Sequence, residues 1–333
     1  MDYAIFNRPI VTICASPAET AESDRGTLSN IADEGLYGQV CRVEGETGEN
    51  DVSGTDWLRI VTFYGYPGYV RRSEMILAGE GKLRSWLQHR YALIGRTTDV
   101  RTAADSASVC LLTLERGCHV ELLAERAAGE ADNGLPLHHD GWARVRLADL
   151  REGYVRDVAL EPLRAVPSAV FYLDGQRTMQ EALAAAQGIT PERVTAEALA
   201  RWHDGSEEHF RSAVCATARR YLGTQYRWGG KTPRGIDCSG LVSTAYLQNG
   251  ITIYRDAKMQ PGYPIHEIPF AQKQPGDLLY FPGHIAMYLG SGRYVHATGA
   301  AASGGVVLNS LDPADALYRA DLPDKLLAVG SLF

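Results

Sequence analysis

A chain of 333 residues has room for two or three domains, each with a core of its own. Apolar content of 45% and charged content of 22% are ordinary for a globular protein, and the net charge of −7 argues against nucleic-acid binding, which calls for a basic face. No apolar run approaches a membrane span, and the N-terminus lacks a basic stretch followed by an apolar one, so neither a membrane partner nor a signal peptide is expected.

Residues 1 to about 80 read as short strands separated by turns: Val40-Cys41-Arg42-Val43 alternates, Trp57-Leu58-Arg59-Ile60-Val61 is strand-like, and a turn at Pro67-Gly68 leads into Tyr69-Val70. Residues 91–165 repeat the plan. Trp142-Ala143-Arg144-Val145 and Gly153-Tyr154-Val155 echo Trp57-Leu58-Arg59-Ile60 and Gly68-Tyr69-Val70, with the same eleven-residue step from Trp to Gly. Two copies in register imply two small all-β modules, expected at 1–82 and 83–165. His138-His139-Asp140 falls in a Gly-, Asn- and Pro-containing stretch and reads as a solvated loop, because no third ligand is spaced to join the two histidines in a metal site.

A helical connector is expected over 166–205. Met179–Gln187 is a strong helix former ended by Gly188, and Thr190 caps a second helix with Pro191 at its first position. Phe210, Val214, Ala218, Tyr221 and Leu222 then share one face of a third helix, closed by Gly223, with Cys215 in its core. Leu241, Val242, Ala245 and Tyr246 mark the apolar face of a fourth helix over Cys238–Asn249. Strands follow at 277–281, 284–289, 293–296 and 305–308, so 206–333 reads as an α+β domain.

The stretch Tyr226 to Val242 is organised around Cys238, which follows a Gly- and Pro-rich loop and opens the fourth helix. Unpaired N–H groups and the helix dipole there favour a negative charge, so this thiol is expected to ionise more easily and act as a nucleophile. Gly290-Ser291-Gly292 is read as a three-residue hairpin loop. With Leu289 opposite Arg293, His284 and His296 share one strand face, as do Tyr288 and Tyr294. Ile285, Met287, Leu289 and Val295 point the other way, and such an apolar face paired with a histidine face is what the thiol-bearing helix is expected to dock against. His284 suits the base that takes the thiol proton, and His296 the group that orients it. A zinc site built from Cys238, His284 and His296 would want a fourth ligand, or a water with its own carboxylate, so the nucleophile reading is preferred and no cofactor is called for. The six cysteines (Cys14, Cys41, Cys110, Cys118, Cys215 and Cys238) show no Cys-x-x-Cys spacing and are expected to be reduced, with Cys41 a packing residue. A cytoplasmic setting follows from that expectation.

The N-terminal copies resemble bacterial SH3-like (SH3b) domains, whose last strands carry such Trp and Gly-Tyr-Val endings; Leu36-Tyr37-Gly38-Gln39-Val40 resembles the segment before a central strand in that family. The C-terminal part resembles the papain-like NlpC/P60 cysteine peptidases. The matching blocks are Tyr226-x-Trp228-Gly229-Gly230, Asp237-Cys238-Ser239-Gly240, Pro275-Gly276-Asp277-Leu278, Gly283 to Gly290 and Tyr294-Val295-His296-Ala297. This resemblance implies Cys238 as nucleophile, His284 as base, His296 as third group and Tyr226 as an oxyanion donor. The backbone N–H of Cys238 or Ser239 is a further donor, and Asp237 and Ser239 are candidate substrate contacts.

SH3b-like modules ahead of such a domain resemble the YkfC-type γ-D-glutamyl-L-diamino acid endopeptidases (dipeptidyl-peptidase VI) within the family. That resemblance implies cleavage of murein stem peptides with a free N-terminal L-Ala, releasing L-Ala-γ-D-Glu during cell-wall peptide recycling. Arg255-Asp256-Ala257 resembles the loop in which an aspartate, here Asp256, binds the substrate amine, with Ala257 where relatives have Ser. Glu74 is the candidate for a second acidic residue from the first module. The alternatives are a cell-wall-binding SH3b protein and an N-acetylmuramoyl-L-alanine amidase of the same fold.

Overall fold

The structure, a computed structural model, describes residues 3–23, 26–47, 56–88, 91–123, 140–164, 190–300 and 303–333. The helix expected at Met179–Gln187 and its terminating Gly188 lie outside the described residues, as does the pair His138-His139. Two compact units emerge, one of Met1–Thr62 with Pro67–Leu163 and one of Phe63–Tyr66 with Arg164–Phe333.

The first unit holds the repeat. Its first copy runs β1 (Tyr3–Phe6), β2 (Ile10–Cys14), the hairpin β3 (Thr20–Ser23) and β4 (Gly26–Ser29), then β5 (Ile31–Leu36) and β6 (Val40–Thr47). It ends with β7 (Trp57–Thr62), β8 (Pro67–Arg71) and β9 (Met75–Ala78), followed by helix α1 (Glu80–Gln88). The second copy runs β10 (Tyr91–Ile94), β11 (Thr98–Arg101), β12 (Cys110–Leu114), β13 (His119–Leu122), β14 (Trp142–Arg146), β15 (Glu152–Arg156) and β16 (Leu160–Pro162).

Each copy forms a seven-stranded sheet, ordered β5-β2-β8-β7-β6-β1-β9 in the first and β12-β11-β15-β14-β13-β10-β16 in the second. The two orders correspond strand for strand, so the repeat read from Trp and Gly spacing is a repeat of topology. Physical causes account for the repeated residues. Trp57 pairs with Arg71 and Trp142 with Arg156 across the last hairpins, and each guanidinium lies over its indole, at 4.4 Å and 4.1 Å. A Cβ at Gly68 would stand 2.3 Å from Ile13, and one at Gly153 would stand 2.7 Å from Val100, so only glycine lets these strands approach. Cys41 is fully buried beside Ala4, Leu58 and Ile60, the packing role its alternation suggested.

The second unit opens with α2 (Pro191–His203), whose cap Thr190 accepts a hydrogen bond from the Arg193 N–H. Helix α3 (Glu207–Arg219) buries Phe210, Val214, Cys215 and Ala218, and Tyr221 is buried in the turn beyond it. Leu222, expected on the same face, is exposed instead: the helix ends at Arg219 and Gly223 turns the chain at φ +82°. After the short hairpin β17 (Lys231–Thr232) and β18 (Gly235–Ile236) comes α4 (Cys238–Gln248). This helix is buried on almost every side, its polar Ser239, Thr244 and Gln248 included, so it is a central helix and not the amphipathic one expected. The remaining strands are β19 (His266–Ile268), β20 (Leu278–Phe281), β21 (His284–Gly290), β22 (Arg293–Thr298), β23 (Gly305–Ser310) and β24 (Ala328–Ser331). They form one sheet ordered β19-β24-β20-β21-β22-β23. Helices before strands give the α+β architecture expected.

Helix α4 packs on the sheet face carrying Ile285, Met287, Val295, Ala297 and Val306. The opposite face, with Ala286, Tyr288 and Tyr294, closes a smaller core with Leu322 and Val329. The helix therefore docks on the apolar face of the strand pair that carries the histidines, where burying branched side chains is the larger gain. Among the described residues no helix is long and apolar enough to cross a membrane.

Adding a methyl at either repeated glycine should force β2 or β11 away from its neighbour. Gly68→Ala and Gly153→Ala are each expected to destabilise the N-terminal unit by about 1–3 kcal/mol in urea unfolding. Unchanged midpoints would refute the close-approach explanation.

Candidate active site

The geometry around Cys238 is set by Asp237. This residue is the N-cap of α4, and its Oδ1 accepts from the Gly240 N–H at 2.6 Å. Oδ1 also accepts from the Arg255 guanidinium at 3.0 Å and the Ser239 hydroxyl at 3.3 Å. Oδ2 accepts from the Gly229 N–H at 2.8 Å and Arg255 at 3.1 Å. Arg255 donates as well to the Ser239 hydroxyl at 2.8 Å and the Gly229 carbonyl at 3.0 Å. One buried guanidinium thus binds the cap residue, the residue after the thiol and the loop before it. A Cβ at Gly240 would stand 2.2 Å from the Gly230 carbonyl oxygen, which is why this first turn carries glycine. These contacts bear on the substrate roles expected for Asp237 and Ser239. The Asp237 carboxylate and the Ser239 hydroxyl are held by hydrogen bonds inside the protein and keep Cys238 in place, which leaves the Ser239 backbone N–H as the group against the thiol. Arg255 pairs with Asp237, and Asp256 is left for other partners.

Cys238 is 6% exposed and opens α4 as expected. Its thiol lies against the N–H groups of Ile285, the residue after His284, and Ser239. Burial first, then the Asp237 carboxylate, pushes its pKa up to about 11 despite those N–H groups and Arg255. The expectation that it ionises easily is overturned: a helix N-terminus contributes about 0.3–1 kcal/mol, less than the cost of burying a charge here. Tyr226 is half-buried beside the thiol, its hydroxyl pushed up to about 12 by burial and then by Cys238, so it stays a proton donor.

The hairpin that carries the histidines differs in one residue from the expected form. Gly290 pairs with Arg293 and Tyr288 with Tyr294, so Leu289 is bulged out and the loop is the two residues Ser291-Gly292. The bulge keeps the parity: Met287 pairs with Val295, and His284 and His296 share a face as predicted. His284 Nε2 and His296 Nδ1 are 2.7 Å apart, and the rings meet at 74°. Burial lowers both, His284 to about 3 and His296 to about 4, so the pair is neutral at neutral pH. His296 Nε2 is 2.9 Å from Asn309 Oδ1, a partner that sequence reading did not single out. A polar residue directly after the apolar run Gly305–Leu308 was the available signal.

Asp256 is half-buried and accepts from the Tyr66 hydroxyl at 3.0 Å and from Tyr254. Tyr66 belongs to Phe63–Tyr66, a segment that groups with this unit. Its neighbour Tyr64 contacts Lys231 and accepts from the Tyr263 hydroxyl at its carbonyl. Ala257 packs at the edge of the core that contains Cys238. Glu74 ends a 3-10 turn in the N-terminal unit. It is half-buried, with burial raising its pKa and Arg8 and Arg71 opposing the rise. Among the described residues no three His, Cys, Asp or Glu side chains converge as a metal site requires.

Removing Arg255 would leave the Asp237 charge buried and unpaired. Arg255→Ala is expected to cost about 3–5 kcal/mol in denaturant unfolding of this unit; a loss under about 1 kcal/mol, the range of an exposed pair, would contradict the anchoring role.

The sequence profile of the NlpC/P60 family matches residues 223–314. Dipeptidyl-peptidase 6 of Lysinibacillus sphaericus is 36% identical over 308 residues, covering 92% of this chain and 93% of that protein. A probable endopeptidase p60 of Listeria seeligeri is 36% identical over 89 residues, 25% of this chain and 17% of that protein. A solved structure of an NlpC/P60 family protein from Bacillus cereus aligns over 98% of both chains with a TM-score of 0.64 at 16% identity, a likeness of fold. The chain belongs to the NlpC/P60 family.

Proposed function

We propose that this protein is a cysteine endopeptidase that cuts the γ-D-Glu–L-diamino acid bond of murein stem peptides whose N-terminal L-Ala is free. The observation that carries the reading is the 36% identity to a dipeptidyl-peptidase 6 over 92% of this chain, a span that reaches into the N-terminal repeat. Its chemistry fits the geometry. As the Cys238 sulfur attacks the γ-glutamyl carbonyl, His284 takes the thiol proton. Charge then separates only within the pair, and no net charge is added to the buried site. The Ser239 N–H and the Tyr226 hydroxyl are the donors for the oxyanion. The resulting imidazolium gives its proton to the leaving amine of the diamino acid, leaving L-Ala-γ-D-Glu as a thioester on Cys238. Water, deprotonated by His284, then hydrolyses the thioester and restores the thiol.

Asp256 supplies the requirement for a free amine. It directly follows Arg255, which is tied to both neighbours of Cys238, and its carboxylate is oriented by Tyr66 and Tyr254. A substrate ammonium would pair with it, while an N-acyl group would leave the carboxylate half-buried without its ion. We place the reaction in the cytoplasm, where thiols stay reduced and trimmed wall peptides are recycled.

Mass spectrometry of products from L-Ala-γ-D-Glu-diaminopimelate and its N-acetylated form tests this reading. Release of L-Ala-γ-D-Glu from the free peptide alone, lost in Cys238→Ala, is the expected result. Cleavage of both forms would remove the amine requirement. Cleavage of neither would move the wall-binding and amidase readings ahead.

A further inference from the structure

The histidine pair ends on a residue that fixes its protons. Asn309 lies on β23 directly opposite Tyr294 of β22, which places it on the face that carries His296. Its Nδ2 donates to the Leu317 carbonyl at 3.0 Å, and its Oδ1 is 2.9 Å from His296 Nε2. The Leu317 oxygen can only accept, so the amide cannot be turned over without setting oxygen against oxygen. Oδ1 therefore faces His296, whose Nε2 must carry the hydrogen. A neutral His296 then has its lone pair on Nδ1. At 2.7 Å from that lone pair, His284 Nε2 must be the donor. By elimination, the lone pair of His284 resides on Nδ1.

We infer that Asn309 is a positioning residue that sets the tautomer of both histidines and so leaves His284 Nδ1 able to accept the thiol proton. The inference rests on the reading of His284 as the base. The side-chain hydrogen bonds of Asn309 go to His296 and Leu317, so it acts on His284 through His296.

The remaining groups facing the pair do not replace it. On its own strand His296 meets the Tyr294 ring at 5.1 Å, and His284 meets Phe281 at 5.9 Å. From the segment after β23 come Arg319 and Asp321. They are joined to each other by hydrogen bonds of 2.6 Å and 2.9 Å, and they act on both histidines with opposite signs. Burial lowers the His296 pKa, and the Asn309 bond is the largest influence opposing it. Without Asn309 either ring nitrogen of His296 can hold the proton. In the Nδ1–H form it presents a donor to His284, which then keeps its lone pair on Nε2.

The test is the rate of Cys238 alkylation by iodoacetamide against pH, read by peptide mass spectrometry, for the full chain and its Asn309→Ala and Asn309→Asp variants. Steady-state cleavage of the free stem peptide is measured beside it. Asn309→Ala should slow alkylation and lower kcat by about 10-fold, the value of one tautomer-selecting hydrogen bond, with KM unchanged. Asn309→Asp still accepts from Nε2–H but sets its second oxygen against the Leu317 carbonyl, so it should recover part of the rate lost in Asn309→Ala. Its added charge should move the acid limb up by about 1 pH unit or more. An Asn309→Ala profile that matches wild type, or an Asn309→Asp no faster than Asn309→Ala, would overturn the inference. A wild-type protein that is alkylated but cuts no peptide would count against the proposed function alone, since alkylation needs no substrate.

Discussion

The site depends on the buried pair of Asp237 and Arg255. Two charges taken out of water are stable only if nearly every lone pair and N–H is satisfied, and here they are, by Gly229, Gly240, Ser239 and each other. A well-packed apolar pair could give similar stability, but it would not orient anything. The ion pair fixes three pieces of backbone at once, namely the loop before the helix, the helix cap and the Arg255 strap, and Cys238 sits where they meet. Asp256, next along the strap, inherits its position from the same anchor.

Burial then decides the electrostatics. The thiol is at a helix N-terminus with two N–H groups beside it, yet it is pushed up to about 11 while the histidines are pushed down to about 3 and 4. Desolvation outweighs the dipole because the dipole acts through a few exposed N–H groups, whereas the low dielectric acts on the whole charge. The site is therefore organised for proton transfer within a neutral pair, and the direction of transfer is set by hydrogen bonds that run from Leu317 through Asn309 and His296 to His284.

Much of this was legible in the sequence, because it rests on local spacing. The Trp-to-Gly step announced the duplicated sheets. The loop-to-helix junction announced Cys238, and strand parity put His284 and His296 together. What was not legible rests on contacts between residues far apart in the chain. Nothing local says that Arg255 closes on Asp237 instead of its neighbour Asp256, or that the Asp237 and Ser239 side chains are engaged inside the protein. Leu289 bulges because the turn takes two residues, a choice made by backbone twist at Ser291, whose φ is +51°. Asn309 is one polar residue on a strand; only the pairing of β23 with β22 brings it to His296. The thiol's acidity was misjudged for the same reason, since burial is a property of the folded unit and not of the helix start.

The central claim is that Cys238 forms a covalent bond to the peptide it cuts. Rapid-quench mass spectrometry during turnover of L-Ala-γ-D-Glu-diaminopimelate tests it directly. The account predicts a dipeptidyl thioester on the tryptic peptide that contains Cys238, gone once substrate is exhausted. Turnover by Cys238→Ala, with no adduct on the wild-type thiol at any quench time, would contradict it.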